Sequence, residues 1–283
     1  MPSFLTRLSA GMSRASEHLV LVLVPILFAL LDTNKITAIT TFDGGHIGFK
    51  LGFPLSVITV WQFVSVPNSG VSVNTGLPIE LLPFVFLTVP LLVIAQATIQ
   101  AGYFGSLSNA LDGNPYAFLQ NSRTYFLPFL VLTTIPFLVL LPLAVGVFGV
   151  ESLTGSLSGA ALLVLLPGMV IFLIVAYLFY GTPYLIVIRD RGLVDAARAS
   201  YALAIEGGPY LTYAIGFSLF VFAVSPVATG IVVNVPVLGL LVGILAGGFI
   251  GLGLNFATMQ FFADLDSAST ADRPDQENTN PQY

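Results

Sequence analysis

The sequence predicts an all-α integral membrane protein with about six transmembrane helices. Hydrophobic residues make up 56% of its 283 residues, and only 8% are charged. Soluble domains carry about 25% charged residues, so this chain has too few to cover its surface in water. Its apolar runs are long and continuous, which is typical of membrane helices and not of the alternating strands of a membrane barrel.

A transmembrane domain is expected over residues 18–262. Its six spans are expected at about residues 18–40, 79–100, 126–150, 160–187, 210–233 and 236–262. The strictly apolar part of the first, Leu19 to Leu31, is short for a span and has the length of a signal-peptide core. No small-residue cleavage site follows it, and Asp32 and Lys35 stand where such residues are needed. A retained helix is therefore favoured over a cleaved one.

The two ends of the chain are expected to be polar and to lie outside the spans. Residues 1–17 place apolar residues at helical spacing among Arg7 and Arg14, which predicts a short interfacial helix. Residues 263–283 gather acids without apolar periodicity, which predicts a disordered, solvated acidic tail. Such a tail, together with a net charge of −5 over the whole chain and more arginine than lysine, resembles the composition of proteins from salt-loving archaea.

The segment of about residues 42–78 differs from the rest. Ile47, Phe49 and Leu51 alternate with small or charged residues, and this period of two is typical of extended chain. The following apolar run, between Pro54 and Pro67, is too short to cross a membrane. We expect a short β-like or re-entrant segment at the outer face, in which Trp61 is an interfacial anchor.

The basic residues predict the orientation. If the N-terminus is cytoplasmic, only Lys35 and Lys50 lie outside, and the other seven basic residues lie inside: Arg7, Arg14, Arg123, Arg189, Arg191, Arg198 and Arg273. Inner loops of membrane proteins carry such an excess of arginine and lysine. The sequence therefore predicts a protein of the cell membrane with both termini in the cytoplasm.

The charges of "VIRDRGLVDAARASYAL", residues 187–203, mark the connection between the fourth and fifth spans. Gly192 ends the incoming helix, and a new amphipathic helix is expected from about Leu193, because residues 193, 196, 197, 200 and 201 share one face. We call this connection the second elbow. The connection between the second and third spans, "ALDGNPYAFLQNSRTYFLPF", is a partial echo of it, and we call it the first elbow. Gly113 would match Gly192, Ala117 would match Ala196 and Asn121 would match Ser200, so an internal duplication is one interpretation.

The second elbow also resembles a pattern found in a loose set of prokaryotic membrane proteins. The pattern G-x-x-x-A-x-x-x-S-x-x-L is carried here by Gly192, Ala196, Ser200 and Leu203. That set includes the membrane domain attached to some glycerophosphodiester phosphodiesterases, together with stand-alone proteins of unknown function. The resemblance implies a membrane architecture, without an activity, because no histidine and carboxylate set for such a catalytic domain is present.

The sixth expected span contains a row of glycines. Gly239, Gly243, Gly247 and Gly251 recur every four residues, and Asn255 continues the row. Glycines at this spacing let another helix approach the backbone closely, so they predict a helix-packing groove. Packing within the chain, a homodimer face and a substrate path all remain open.

Candidate catalytic and cofactor sites are nearly absent from the sequence. The two histidines, His18 and His46, are expected on opposite sides of the membrane, where they cannot share a metal or a proton relay. The absence of cysteine excludes disulfides and thiolate metal sites. Basic residues are too few and scattered for nucleic-acid binding. We therefore expect no enzymatic activity, no cofactor and no bound metal.

Two classes of function follow. The first is a non-enzymatic scaffolding or membrane-organising protein whose partners are membrane lipids, further copies of itself or another membrane subunit. The second is a permease or the membrane subunit of an ATP-driven transporter, whose cytoplasmic elbow docks an ATPase. In either case the residues expected to face a partner or lipid headgroups are Arg189, Arg191, Asp195 and Arg198.

Overall fold

The computed structural model describes residues 2–67, 85–143, 159–235 and 237–271. Within these residues the chain is helical and has no strand, in agreement with the predicted fold class. The helices are α1 Phe4–Glu17, α2 Leu23–Leu31, α3 Thr33–Thr40, α4 Val85–Leu111, α5 Phe118–Thr124, α6 Phe126–Leu143, α7 Gly159–Phe179, α8 Thr182–Ile188, α9 Leu193–Glu206, α10 Pro209–Asn234 and α11 Leu238–Ala271. Short 3-10 turns cover Leu19–Val22 and Val60–Gln62.

Four helical stretches are long and apolar enough to cross a membrane. They are Leu87–Leu111, Val170–Ile188, Pro209–Asn234 and Leu238–Ser267. A fifth is reached if α1 and the helix over Leu19–Leu31, which meet at 101°, form one broken span. The described residues therefore contain four or five candidate spans, where the sequence predicted six. The expected span ends at residues 79–84, 144–150 and 236 lie outside the described residues.

The first expected span, residues 18–40, is divided into short helices. A sharp bend at His18 separates α1 from the 3-10 turn, and a second break at Asp32 separates α2 from α3. Asp32 leaves the helical conformation (φ −84°, ψ 68°), and its carboxylate accepts a hydrogen bond from the Lys35 backbone N–H at 3.3 Å. Because a carboxylate at this position satisfies a free N–H group of a new helix, Asp32 ends one helix and begins the next.

The N-terminal helix that the sequence predicts is present as α1, and it packs against the last helix. Its buried stripe is Arg7, Gly11 and Ala15, spaced four residues apart. A side chain at Gly11 would collide with the backbone of Gly253 and Ala257, so the glycine allows the two helices to touch. Arg7 therefore lies between helices, and not on a solvated face.

The last helix, α11, is the centre of the fold, since α1, α2, α4, α8 and α10 all contact it. It continues to Ala271, so the residues from 264 to 271 are helical although the sequence predicted a disordered tail from about residue 263. Residues 272–283, the rest of that expected tail, lie outside the described part of the chain.

Residues 42–67 are irregular apart from the turn Val60–Gln62, and they contain no strand. The period of two predicted for this segment is nevertheless visible in its exposure. Ile47, Phe49 and Leu51 point outward, whereas Gly48 and Lys50 turn toward the protein. The segment thus has its apolar side outside, an arrangement that suits a lipid environment and not water. Residues 68–78 of the expected outer segment lie outside the described residues.

Candidate functional site

The glycine row of α11 is filled by other segments of the same chain. A side chain added at Gly239 or Gly243 would meet Ile231 and Val232 of α10, respectively. Added at Gly247 or Gly251, it would meet Val60 and the backbone carbonyl of Ile58 in the irregular segment. The four glycines therefore admit two different neighbours along one helix, and the chain itself occupies the groove.

Asn255, which continues the glycine row, holds a buried polar network. Its side-chain oxygen accepts a hydrogen bond from the Tyr184 hydroxyl at 2.9 Å, and its Nδ2 donates to the Tyr103 hydroxyl at 3.1 Å. All three side chains are fully buried. Since α4, α8 and α11 each supply one member, the network fixes three helices relative to one another.

The second elbow contains the charged residues that the sequence singled out, and the structure separates them into two groups. Arg189 forms an ion pair with Asp266 near the end of α11, with Nε donating to the carboxylate at 2.7 Å. Asp195 and Arg198 lie 4.0 Å apart on the exposed side of α9. Arg191 is exposed and makes no ion pair with any described residue. Arg189 is therefore engaged within the protein, and Arg191, Asp195 and Arg198 remain at the surface.

The face of α9 that packs on the protein differs in part from the predicted one. The buried residues are Ala196, Ala199, Ser200, Leu203 and Ala204. Of the expected face, Ala196 and Ser200 are fully buried, but Tyr201 is exposed and stacks on Phe179 of α7. The buried face is therefore rotated relative to the predicted one, and Tyr201 lies outside it.

Three distant parts of the sequence meet at one end of the bundle through charged groups. Arg7 of α1, only 5% exposed, pairs with Asp264 at 2.8 Å, and its guanidinium lies over the Phe261 ring. Arg189 pairs with Asp266, two residues further along the same helix. The first acids of the expected solvated tail are therefore partners of basic residues from α1 and from the second elbow.

A row of polar side chains on α10 binds the irregular segment. We call Ser218, Ser225, Thr229 and Asn234 the polar row. Ser225 Oγ accepts from the Lys50 N–H at 2.9 Å, Thr229 Oγ1 accepts from the Ser65 N–H at 2.9 Å, and Ser218 Oγ donates to the Gly52 carbonyl at 3.0 Å. Asn234 accepts from the His46 N–H at 2.8 Å and donates to its carbonyl at 2.9 Å. The polar row thus satisfies backbone groups of a segment that has no regular hydrogen bonding of its own.

Trp61 joins the irregular segment to the break between α2 and α3. Its Nε1 donates to the Ala29 carbonyl at 2.9 Å, in the last turn of α2, and its own carbonyl accepts from Lys50 Nζ at 2.6 Å. Lys35 lies over the indole ring, 5.7 Å from its centre, and pairs with Asp32 at 2.6 Å. Burial, followed by the nearby Lys35, lowers the pKa of Lys50, which lies outside the candidate spanning helices, to about 8.

The polar row and Lys50 were not among the site residues that the sequence predicted. A signal for the polar row was present, because Ser218, Ser225 and Thr229 are spaced seven and four residues apart on one side of an apolar helix. Lys50 was used only to predict orientation, and Trp61 only as a surface anchor. Across the described residues, no three histidine, aspartate or glutamate side chains are grouped so that they could hold a metal ion.

Comparison with protein-family models, with curated proteins and with solved structures finds no match to this chain. The function is therefore inferred from the geometry of the chain's own residues.

Proposed function

We propose that the chain is a non-enzymatic multi-pass protein of the cell membrane with a scaffolding or membrane-organising role, in contact with lipids at its second elbow. The observation that supports this role is the outer side of α9. Val194, Tyr201 and Ile205 form an exposed apolar stripe, and Arg198 lies on the same side of the helix. An apolar stripe flanked by arginine is typical of helices that lie in the headgroup region of a membrane.

Continuity with the lipid-facing helices supports the same placement. Tyr201 stacks on Phe179 at the end of α7, and α7 exposes a run of apolar residues over 170–175. A surface that passes without interruption from a spanning helix to the elbow fits a single lipid boundary.

The remaining features of the proposed topology are two further spans and a cytoplasmic location of both termini. Helix α6 has 18 residues, which is roughly 27 Å at 1.5 Å per residue, close to the thickness of a bilayer core. With α6 and the broken first span, six crossings return the chain to its starting side. The contacts of Arg7 with Asp264 and of Arg189 with Asp266 support a common end for the N-terminus, the second elbow and α11, and the positive-inside bias favours the cytoplasm for that end.

The relationship to the membrane domain of glycerophosphodiester phosphodiesterases is also a proposal. The four residues of the shared pattern have a structural explanation. Gly192 precedes the first turn of α9, and Ala196, Ser200 and Leu203 are all buried on one side of that helix. The pattern therefore describes how an elbow helix packs, and it supports a shared architecture without a shared reaction.

Native mass spectrometry of the gently solubilised protein tests the proposed role. We expect bound anionic phospholipid on the wild-type chain and less of it when Arg191 and Arg198 are both replaced by glutamine. Glu206→Gln, on the same helix, is the control and is expected to retain the lipid. Equal lipid retention in all three proteins would contradict lipid contact at this elbow.

A second candidate function is that of a permease or a transporter membrane subunit. The irregular segment beside the broken helix at Asp32 favours it, because transporters use interrupted helices and exposed backbone groups at their substrate sites. A stoichiometric ATPase in the native mass spectrum, lost on replacement of Arg191 and Arg198, would favour this candidate. A monomer or homodimer that carries lipids alone would favour the first.

A further inference from the structure

The irregular segment carries Lys50 deep along the bundle. From His46, which is bonded to the end of α10 at Asn234, the chain runs beside α10 to Gly52, which is bonded to Ser218. Lys50 is bonded to Ser225, nine residues before Asn234, or about 13 Å along the helix. The backbone of Lys50 is therefore held beside α10, while its half-buried side chain reaches the Trp61 carbonyl.

In the part of the chain that the structure describes, the positive charge around Lys50 exceeds the negative charge. The Lys50 ammonium donates to the Trp61 carbonyl, a neutral group, and among the described residues it makes no ion pair. The nearby ionic groups are Lys35 and Asp32, which already pair with each other. Two ammonium groups thus share one carboxylate. An ammonium ion at a buried position is costly unless a negative charge compensates for it.

These charged groups are all partly exposed. The Lys35 and Asp32 side chains are 31% and 20% exposed and Lys50 is half-buried, whereas Trp61 beside them is 5% exposed. The excess positive charge is therefore within reach of ions from the surface. Such an arrangement raises the local concentration of anions.

We propose that Lys50 and Lys35, beside Trp61, form a binding site for a small monovalent anion such as a carboxylate or a halide. The anion accepts a charge-assisted hydrogen bond from the Lys50 ammonium and neutralises the excess positive charge. This site goes beyond the proposed membrane-organising role and does not depend on it.

The pH dependence of binding follows from the same groups. Lys35 and Asp32 are the charged groups that act on Lys50, and burial makes its ammonium easier to deprotonate. A group with a lowered pKa loses its proton at lower pH than usual, so anion binding is expected to weaken as the pH rises through about 8.

Trp61 is the only tryptophan of the chain, so its fluorescence reports directly on the site. The protein is placed in zwitterionic lipid nanodiscs and titrated with sodium iodide, a quenching anion, at constant ionic strength. We expect saturable quenching that sodium acetate or sodium chloride reverses by competition. Acrylamide, a neutral quencher, is expected to have little effect because the indole ring is buried.

Lys50→Met and Lys50→Arg are the decisive variants. Lys50→Met is expected to weaken iodide binding about tenfold or more, the loss expected for one hydrogen bond to a charged group. Lys50→Arg keeps the charge and is expected to retain saturable quenching. An unchanged emission maximum and unchanged acrylamide quenching show that Trp61 keeps its environment in each variant.

The wild-type titration alone can overturn the proposal. Quenching by iodide that rises linearly and is not reversed by acetate or chloride would show that no anion site exists beside Trp61. Saturable quenching that Lys50→Met leaves unchanged would place the bound anion elsewhere. If Lys50→Met alters the emission maximum, Lys35→Met replaces it, and an unchanged affinity in Lys35→Met would remove Lys35 from the site.

Discussion

The two elbows fasten a surface helix to the preceding span in the same way, although they are covered differently. In the first, Ser122 Oγ donates to the Thr98 carbonyl at 2.9 Å, and in the second, Ser200 Oγ donates to the Leu178 carbonyl at 2.9 Å. The serine thus binds a carbonyl 24 residues back in one elbow and 22 in the other. In each elbow, a serine hydroxyl thus links the short helix to the span that precedes it.

The difference lies in what surrounds the serine. In the first elbow, three polar side chains converge on the Tyr116 carbonyl in a partly exposed loop: Ser106, Asn109 and Asn121. In the second, Ser200 also bonds the Tyr210 hydroxyl at 3.1 Å, and the Phe262 ring lies next to Gly181 above it. Both serines are buried, but the first elbow is held in addition by polar contacts to the Tyr116 carbonyl and the second by buried aromatic side chains.

Replacement of the glycine beneath each serine by alanine should give the largest difference in stability between the two elbows. At Gly181 the added methyl group would lie 2.6 Å from the Phe262 ring, whereas at Gly102 it would meet Ser122 Oγ first and lie 2.7 Å from the Phe118 ring. Phe262 is fully buried and cannot move, whereas Phe118 is partly exposed. We expect Gly181→Ala to destabilise the protein by about 2 kcal/mol through overpacking.

Gly102→Ala is expected to cost about 1 kcal/mol, less than Gly181→Ala, because Ser122 Oγ must turn away from the Thr98 carbonyl but Phe118 can yield and alanine favours the helix. Unfolding in mixed detergent micelles, followed by helical circular dichroism, measures both changes. Gly230→Ala is the control, since no atom lies within 4 Å of the added group. Equal destabilisation by Gly102→Ala and Gly181→Ala would show that the aromatic cover does not distinguish the elbows.

Removal of a tyrosine hydroxyl beside each elbow gives a smaller contrast. The Tyr210 hydroxyl is buried and donates to the Tyr177 carbonyl at 3.0 Å, while also bonding Ser200. The Tyr116 hydroxyl bonds His18 Nδ1 at 2.9 Å in a partly exposed position. We expect Tyr210→Phe to cost about 1.5 kcal/mol, because it leaves buried groups without a partner, and Tyr116→Phe to cost less than about 1 kcal/mol.

The same unfolding measurement tests this pair of variants. A larger loss for Tyr116→Phe than for Tyr210→Phe would reverse the assignment of the more buried elbow. Tyr201→Phe, whose hydroxyl is at an exposed residue of α9, serves as the control and is expected to change stability little.

The sequence predicted the helical membrane class and both elbows because hydropathy and glycine placement act locally. Gly192 precedes α9, and the buried positions Ala196 and Ser200 lie on the face expected from helical periodicity. The predicted echo between elbows is less accurate in register, since the hydrogen bonds match Ser122, not Asn121, to Ser200. Ala117 also has a left-handed backbone (φ 47°), unlike Ala196 inside its helix, and the internal duplication stays a prediction.

Other parts of the structure depend on contacts that no local pattern encodes. The glycine row predicted close packing, but not that Gly251 would face an irregular segment almost two hundred residues away in the sequence. The acids of the expected tail were assigned to solvent because their partners, Arg7 and Arg189, are distant in the sequence. The irregular segment itself depends on side chains of α10 for its backbone hydrogen bonds, so its own sequence does not determine its path.

The smallest contrast between the elbows concerns their arginines. Arg189 of the second elbow pairs with Asp266, and both side chains are 23% exposed, whereas Arg123 of the first elbow forms no ion pair in the described part of the chain. We expect Arg189→Gln to cost about 0.5 to 1 kcal/mol, as for a partly exposed ion pair, and Arg123→Gln to cost less. A double-mutant cycle with Asp266→Asn isolates the interaction, since the coupling energy excludes what each residue contributes through its other contacts. The coupling should decrease as salt is raised from about 0.01 to 1 M, because the pair is partly exposed. A coupling energy of zero at low salt would mean that Asp266 does not hold the second elbow, which would leave Ser200 and the aromatic residues around it as its attachment.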